Sequence, residues 1–172
     1  MKYTKQLFYL LSYLIVLALS ACGGDPAFNE GGCNAADTPT NISSVAIVGS
    51  TTVGGTEVIN DSADFSVSWD LTSSCTYTYK LYLAVTNTRT PGIDVEVASG
   101  TCGLGYTCTG IVDFDCSFDS TAKTLSCNGG SAVSVSSLLP DPGPASRYFI
   151  LSASNEMMDN DTMATNQVRI DF

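Results

Sequence analysis

The sequence predicts an all-β fold, an antiparallel sandwich or barrel in which each sheet has one buried face and one solvated face. Beyond residue 40, apolar and polar residues alternate over short runs, and no stretch repeats apolar residues at helical spacing. Gly, Asn, Asp and Pro separate the runs, as expected for turns. The clearest alternation sets Phe65, Val67 and Trp69 against Ser66 and Ser68. Such a pattern is typical of antiparallel sheets that share one core.

The alternating runs predict ten strands within a single domain, residues 41–172. The apolar content of this segment is sufficient for one core. The predicted strands are Ser44–Val48, Thr56–Ile59, Asp64–Leu71, Thr76–Thr86, Ile93–Ala98, Tyr106–Cys116, Lys123–Cys127, Ala132–Leu138, Arg147–Ser154 and Gln167–Phe172.

The N-terminal segment has the layout of a secretory signal. Lys2 and Lys5 precede an uncharged, mainly apolar run of thirteen residues, Leu7–Leu19, and small residues follow it. As a helix the run would reach only about 20 Å, short of the roughly 30 Å hydrocarbon core, which disfavours a permanent transmembrane helix. Residues 1–21 are therefore predicted to be a signal peptide. Residues 22–40, rich in Gly and polar side chains, are predicted to be a flexible tether.

The residues Leu19-Ser20-Ala21-Cys22 resemble the lipobox of bacterial lipoproteins. The resemblance implies cleavage before Cys22 and acylation of its sulfur with chains such as palmitate. Several acyl chains would hold the mature protein on a membrane without a spanning helix. In such lipoproteins an Asp directly after the lipidated cysteine commonly retains the protein at the inner membrane. Gly23 stands there in this chain, so the outer membrane is favoured. An ordinary signal peptide, with Cys22 in a disulfide, is the alternative.

Cysteine number and spacing predict a disulfide framework. Assigning Cys22 to the lipid leaves six cysteines in an exported chain, which is an even number. A zinc site is disfavoured because the chain has no His and no Cys-x-x-Cys pair. A glycine-rich turn and a polar hairpin would each bring two cysteines together, and two cysteines then remain. A cross-braced pairing of the four between residues 102 and 127 is the alternative. The predicted pairs are Cys33–Cys75, Cys102–Cys108 and Cys116–Cys127.

Two segments suggest a particular kind of sandwich. The strand Phe65–Trp69 looks like the second strand of a fibronectin type III or related immunoglobulin-like domain. Leu138–Asn155 is similar to that family's Leu, Pro and Gly turn before a tyrosine-led strand. Tyr148 lies one residue closer to Ala153 than in the family, so either this strand carries a bulge or Tyr148 is not the corner tyrosine. Residues 99–131, with four cysteines, have no counterpart in a typical module and are expected to be a Cys-rich insertion.

Charge and composition exclude several functions. The net charge is −10, and from residue 22 onward the chain has five basic and 17 acidic side chains. A phosphate backbone requires several Lys or Arg contacts, so nucleic acid is excluded as a partner. The absence of His removes Ser-His-Asp and Cys-His catalysis. No pair of carboxylates is placed recognisably across a cleft. The chain is therefore expected not to be an enzyme and to need no cofactor.

Two groups of side chains are candidates for binding. Asp159 and Asp161 lie in a predicted acidic loop, but they offer few of the oxygens that calcium needs, so no metal site is predicted. Tyr77 and Tyr79 share the core face of their strand. Tyr82 points the other way, which makes it a candidate for a surface contact.

The sequence thus predicts an envelope lipoprotein that acts as a binding or structural interaction module. Its expected partners are the membrane, through the lipid, and a protein or a glycan. Two alternatives stay open. One is an accessory to a carbohydrate-active or metal-dependent hydrolase that uses surface carboxylates, and the other is a periplasmic assembly or inhibitory partner of a protein. The fold itself does not discriminate among them, since the same sandwich carries many functions.

Overall fold

A computed structural model describes residues 41–61, 64–72, 76–102, 110–155 and 158–172. Within these ranges no helix is long and apolar enough to cross a membrane. The strands are β1 (Asn41–Val48), β2 (Thr51–Val53), β3 (Thr56–Ile59), β4 (Asp64–Thr72), β5 (Tyr77–Ala84), β6 (Val95–Cys102), β7 (Gly110–Asp119), β8 (Thr124–Cys127), β9 (Val133–Ser134), β10 (Ala145–Asn155), β11 (Met158–Ala164) and β12 (Val168–Ile170), and a 3₁₀ turn spans Ser136–Leu138.

The strands form two sheets around one core. Sheet 1 has the order β1-β4-β7-β8-β9. Sheet 2 has the order β2-β3-β12-β10-β5-β6, and β11 also pairs with β10. Among the described strands, only β3 and β12 pair in parallel, and the other pairs are antiparallel. Sheet 1 corresponds to one layer of an immunoglobulin-like sandwich, and the run β12-β10-β5-β6 of sheet 2 corresponds to the other. The predicted fold class is confirmed.

The core forms where the alternating faces of the two sheets meet. On β4 the predicted apolar face, Phe65, Val67 and Trp69, is buried. The Trp69 ring lies 4.5 Å from that of Phe114 on β7 and 5.2 Å from that of Tyr79 on β5, measured between centroids. Aromatic contacts of this kind add to the stabilisation that comes from burying apolar area. Trp69 therefore packs between the two sheets, in agreement with the prediction that its side chain lies in the core.

A disulfide fastens the hairpin of β7 and β8. Cys116 and Cys127 lie directly opposite each other with their Cα atoms 4.1 Å apart, and their sulfurs are bonded. The predicted bridge is present, and β8 and β9 extend sheet 1 beyond β7. Cys102 is also disulfide-bonded. Cys22, Cys33, Cys75 and Cys108 lie outside the described residues, so the two other pairs stay predictions.

The structure differs from the predicted elements at three places. β2 and β11 were not expected, because β2 is fully exposed and the β11 sequence is polar and acidic. Both become strands by pairing with neighbours, β3 and β10, which local sequence does not reveal. The predicted strand Ala132–Leu138 is instead the two-residue β9 followed by the 3₁₀ turn.

The register of β10 decides the question about Tyr148. From Tyr148 to Ser154, β10 pairs with β5 without a shift, so no bulge lies between Tyr148 and Ala153 on that side. Phe149 and Leu151 enter the main core, whereas Tyr148 packs on the opposite face of the sheet beside Ile150. Tyr148 is therefore not a corner tyrosine, and the chain departs from the fibronectin pattern here.

Candidate functional site

A groove of about 290 Å³ lies on the outer face of sheet 2, the face turned away from the core. Three strands form its floor, and the loop between β5 and β6 (residues 85–94) forms one wall. The described lining residues are Thr78, Lys80 and Tyr82 on β5, Ser152 and Ser154 on β10, Thr162 on β11, and Arg89 and Pro91 on the loop.

Strand register sets the floor of the groove. Lys80 lies opposite Ser152, and Ser152 lies opposite Thr162 on its other side, so the three side chains form one row across the sheet. Thr78 and Ser154 form the next row, with their hydroxyl oxygens 3.2 Å apart. Because alternate residues such as Leu81 enter the core, the floor residues must point outward. The outcome is a strip of short hydroxyl side chains beside a lysine.

A cation–π contact between Arg89 and Tyr82 holds the loop that forms the wall of the groove. The Arg89 guanidinium carbon lies 3.5 Å from the centroid of the Tyr82 ring, and Arg89 Nη1 donates to Asp94 Oδ2 at 2.9 Å. The Thr90 N–H donates to the same carboxylate oxygen. Tyr82 is only 8% exposed as a result. The expectation that Tyr82 offers a surface contact is therefore wrong, because the loop covers its ring and places Arg89 at the surface instead.

Both cations of the groove are paired and keep their charge. Lys80 Nζ lies 2.9 Å from Glu96 Oε2 on β6, and this hydrogen bond raises the pKa of Lys80. Burial lowers the pKa of Arg89, but hydrogen bonds to Tyr82 and Asp94 outweigh it, so the pKa is raised overall. The Asp94 side chain is 1% exposed, and its second oxygen, Oδ1, has no hydrogen-bond partner among the described residues. Lys80 and Arg89 thus stay cationic, and each has N–H donors beyond those its carboxylate uses.

The predicted acidic loop is a strand with a structural contact. Asp159 and Asp161 lie on β11, so the loop assignment is wrong. Asp161 Oδ2 accepts the Ile42 N–H at 2.8 Å and so connects β11 with β1 of sheet 1. In the described parts of the chain, no three or more His, Cys, Asp or Glu side chains converge as metal ligands would.

A second depression, of about 490 Å³, lies on sheet 1 and has the opposite character. Its described lining includes the carboxylates of Asp64 and Asp115, and Ser66 Oγ donates to Asp115 Oδ1 at 2.7 Å. The depression contains no Lys or Arg among the described lining residues, so the charged side chains that line the two depressions differ in sign.

The groove residues were not singled out by the sequence, apart from Tyr82. The available signal was weak: polar residues alternate along β5 and β10, and two of the five basic residues after position 22 fall between residues 80 and 89. Nothing local indicates that β5, β10 and β11 are neighbours. The groove forms only because these three strands lie side by side.

No family model and no curated protein matches this sequence. Solved structures of a β-glucosidase from Listeria innocua show limited likeness. The complex with gluconolactone has 14% sequence identity and a TM-score of 0.38. The complex with glucose has 13% identity and a TM-score of 0.37. In both comparisons 83% of this chain is covered, but it spans only 17% of the enzyme chain.

Proposed function

We propose that this chain is an exported lipoprotein, anchored in the outer membrane of a bacterial envelope through lipidated Cys22, whose sandwich is a non-catalytic glycan-binding module. The signal-like N-terminus and the lipobox resemblance support the anchor. The groove on sheet 2 carries the binding proposal, because hydroxyl side chains from three strands face outward there in ordered rows beside two cations.

The lining favours a glycan over a protein ligand. Protein interfaces are centred on buried apolar and aromatic anchors. This groove offers hydroxyl groups from Thr78, Ser152, Ser154 and Thr162, while the Tyr82 ring face is already occupied by Arg89. The main chains of β5 and β10 are paired on both sides, so these two strands have no free backbone groups that could pair with a peptide. A polyhydroxylated ligand is complementary to such side chains.

A glycan array with the full mature protein, kept in mild detergent, tests the binding proposal. We expect weak, selective binding that Ser152→Leu abolishes, because leucine fills the middle row of the floor without a polar group. Ser68→Leu is the matched control, since Ser68 is a partly buried serine on the outer face of sheet 1. Equal loss in both variants, or no bound glycan at all, would refute a groove function.

Acylation at Cys22 is tested separately in cells. Replacing Cys22 with Ser should abolish labelling by a fatty-acid analogue and release a soluble or uncleaved form, because the thioether lipid needs the sulfur. Cys33→Ser serves as the matched control and should keep the label. If Cys22→Ser leaves membrane partitioning and labelling unchanged, the anchor is elsewhere and the lipoprotein proposal fails.

A further inference from the structure

We infer that the groove selects acidic polysaccharides, chains of carboxylate-bearing sugars such as uronic acids, through Lys80 and Arg89. The inference rests on the proposed glycan-binding function and adds its charge selectivity. Its starting point is the described lining of the groove, which contains two cations and no carboxylate although the whole chain has a net charge of −10. The depression on sheet 1, lined by Asp64 and Asp115, shows that cationic lining is not general on this surface.

The two cations are held in place before any ligand arrives. Arg89 is stacked on the Tyr82 ring and tied to Asp94, so its planar donor group has little freedom left to lose on binding. Lys80 is held from the β6 side by Glu96. Each carboxylate occupies only part of the donor capacity of its cation, so a ligand carboxylate has free N–H groups to accept from.

The position of the cations beside the hydroxyl rows favours a sugar acid over a simple anion. Lys80 shares its row with Ser152 and Thr162, so a carboxylate at Lys80 would put the neighbouring ring hydroxyls over these side chains. Longer acidic chains would pass Arg89 at the wall. A nucleic acid would need more phosphate contacts than two cations supply. An acidic peptide would find no unpaired main chain on β5 or β10, as described above.

The decisive ligand pair is an oligogalacturonate and the same oligosaccharide with its carboxylates reduced to hydroxymethyl groups. Calorimetry with the full mature protein should detect the acidic form, and its affinity should fall as the ionic strength rises from about 0.05 to about 0.5 M, because salt screens exposed charges. The reduced form should bind at least about tenfold more weakly, the difference expected when a charge-assisted hydrogen bond is lost.

Variants locate the charge selectivity in the groove. Lys80→Gln should weaken oligogalacturonate binding about tenfold, and Lys80→Arg should restore it. Arg169→Gln is the control, because Arg169 is also an exposed strand cation paired with a carboxylate but does not line the groove. Thermal melting of each variant reports whether the fold is intact.

The outcomes separate the two proposals. Equal binding of the acidic and reduced oligosaccharides, or an unchanged affinity in Lys80→Gln, overturns the charge inference while the glycan groove remains, provided that Ser152→Leu still abolishes binding. Equal affinity for poly-glutamate overturns the preference for a saccharide. Failure of the protein to bind any glycan, neutral or acidic, removes the proposed function itself.

Discussion

At the scale of single residues, β5 places tyrosine side chains on both faces of sheet 2. Tyr79 faces inward, where its ring lies 5.2 Å from Trp69 and 5.3 Å from Phe114. Tyr82 faces outward and supports Arg89. Tyr79 lies opposite Gly100 on β6. The Tyr79 ring occupies the space that a side chain at position 100 would fill, so its position requires a glycine there.

Gly100→Ala should destabilise the fold. An alanine Cβ at this position would lie 2.4 Å from the Tyr79 hydroxyl oxygen, so the Tyr79 ring must shift from its place beside Trp69 and Phe114. We expect a loss of about 1–3 kcal/mol in the free energy of unfolding, measured by urea titration. In a Tyr79→Ala background the same change should cost nothing, since the clash is gone. An equal cost in both backgrounds would contradict this explanation.

At the scale of elements, two links add to the ladder hydrogen bonds that hold β8 and β1 in sheet 1. The disulfide binds the four-residue β8 to β7. The Asp161 carboxylate binds the edge strand β1 to β11. The Asp161 contact acts at the edge of sheet 1, where β1 lacks ladder hydrogen bonds on its outer side, whereas the disulfide lies one strand in from the β9 edge.

Replacing both Cys116 and Cys127 with Ala should lower stability by about 2–3 kcal/mol, because the bridge closes a short loop and so restricts the unfolded chain only modestly. The double variant avoids an unpaired thiol. Chemical denaturation measures the loss, and hydrogen exchange should show it concentrated in β8 and β9. An unchanged unfolding midpoint would mean that strand pairing alone holds the hairpin.

Asp161→Ala should free the N terminus of β1. The Ile42 N–H would lose its acceptor, at a cost of about 1 kcal/mol, and its amide hydrogen should exchange faster. Asp161→Asn is the matched control, because its side-chain carbonyl oxygen still accepts this hydrogen bond. If the two variants behave alike, the carboxylate acts by charge and not by this contact.

At the scale of the whole molecule, the core contains ionisable tyrosines that limit stability in alkali. Burial raises the pKa of Tyr77 above 10.0, with a further contribution from Tyr79, and burial also raises the pKa of Tyr79. A raised folded-state pKa means that the unfolded chain loses these protons first as the pH increases. The stabilisation is complete below about pH 10 and is lost as the pH rises through the raised pKa values.

The free energy of unfolding should therefore fall steeply above about pH 10 in the native protein. Tyr77→Phe keeps the ring but removes one titrating group, so its decline should be shallower. Urea midpoints measured from about pH 8 to about pH 11 compare the slopes. The two proteins should differ little in slope near neutral pH, and parallel curves throughout the alkaline range would contradict the role of Tyr77.

The fold class, most strands and the Cys116–Cys127 bridge were predictable from local sequence. Alternation with a period of two places Phe65, Val67 and Trp69 on one face whatever the neighbouring strand is. A hairpin turn sets the register of its own two strands, and so it brings Cys116 opposite Cys127. These features depend on interactions between residues close in the chain.

The candidate site, in contrast, depends on contacts between strands that are distant in the chain. Lys80, Ser152 and Thr162 form a row because β5, β10 and β11 are neighbours, and a polar segment such as β11 becomes a strand only when β10 presents an edge to it. Tyr82 has an outward-facing pattern, yet it is covered because the loop carrying Arg89 folds back over it. Alternation specifies which face a side chain takes, but it contains no information on which distant strand or loop lies beside that face. For this reason the two layers of the protein follow from its local sequence pattern, and the groove follows from the pairing of distant strands.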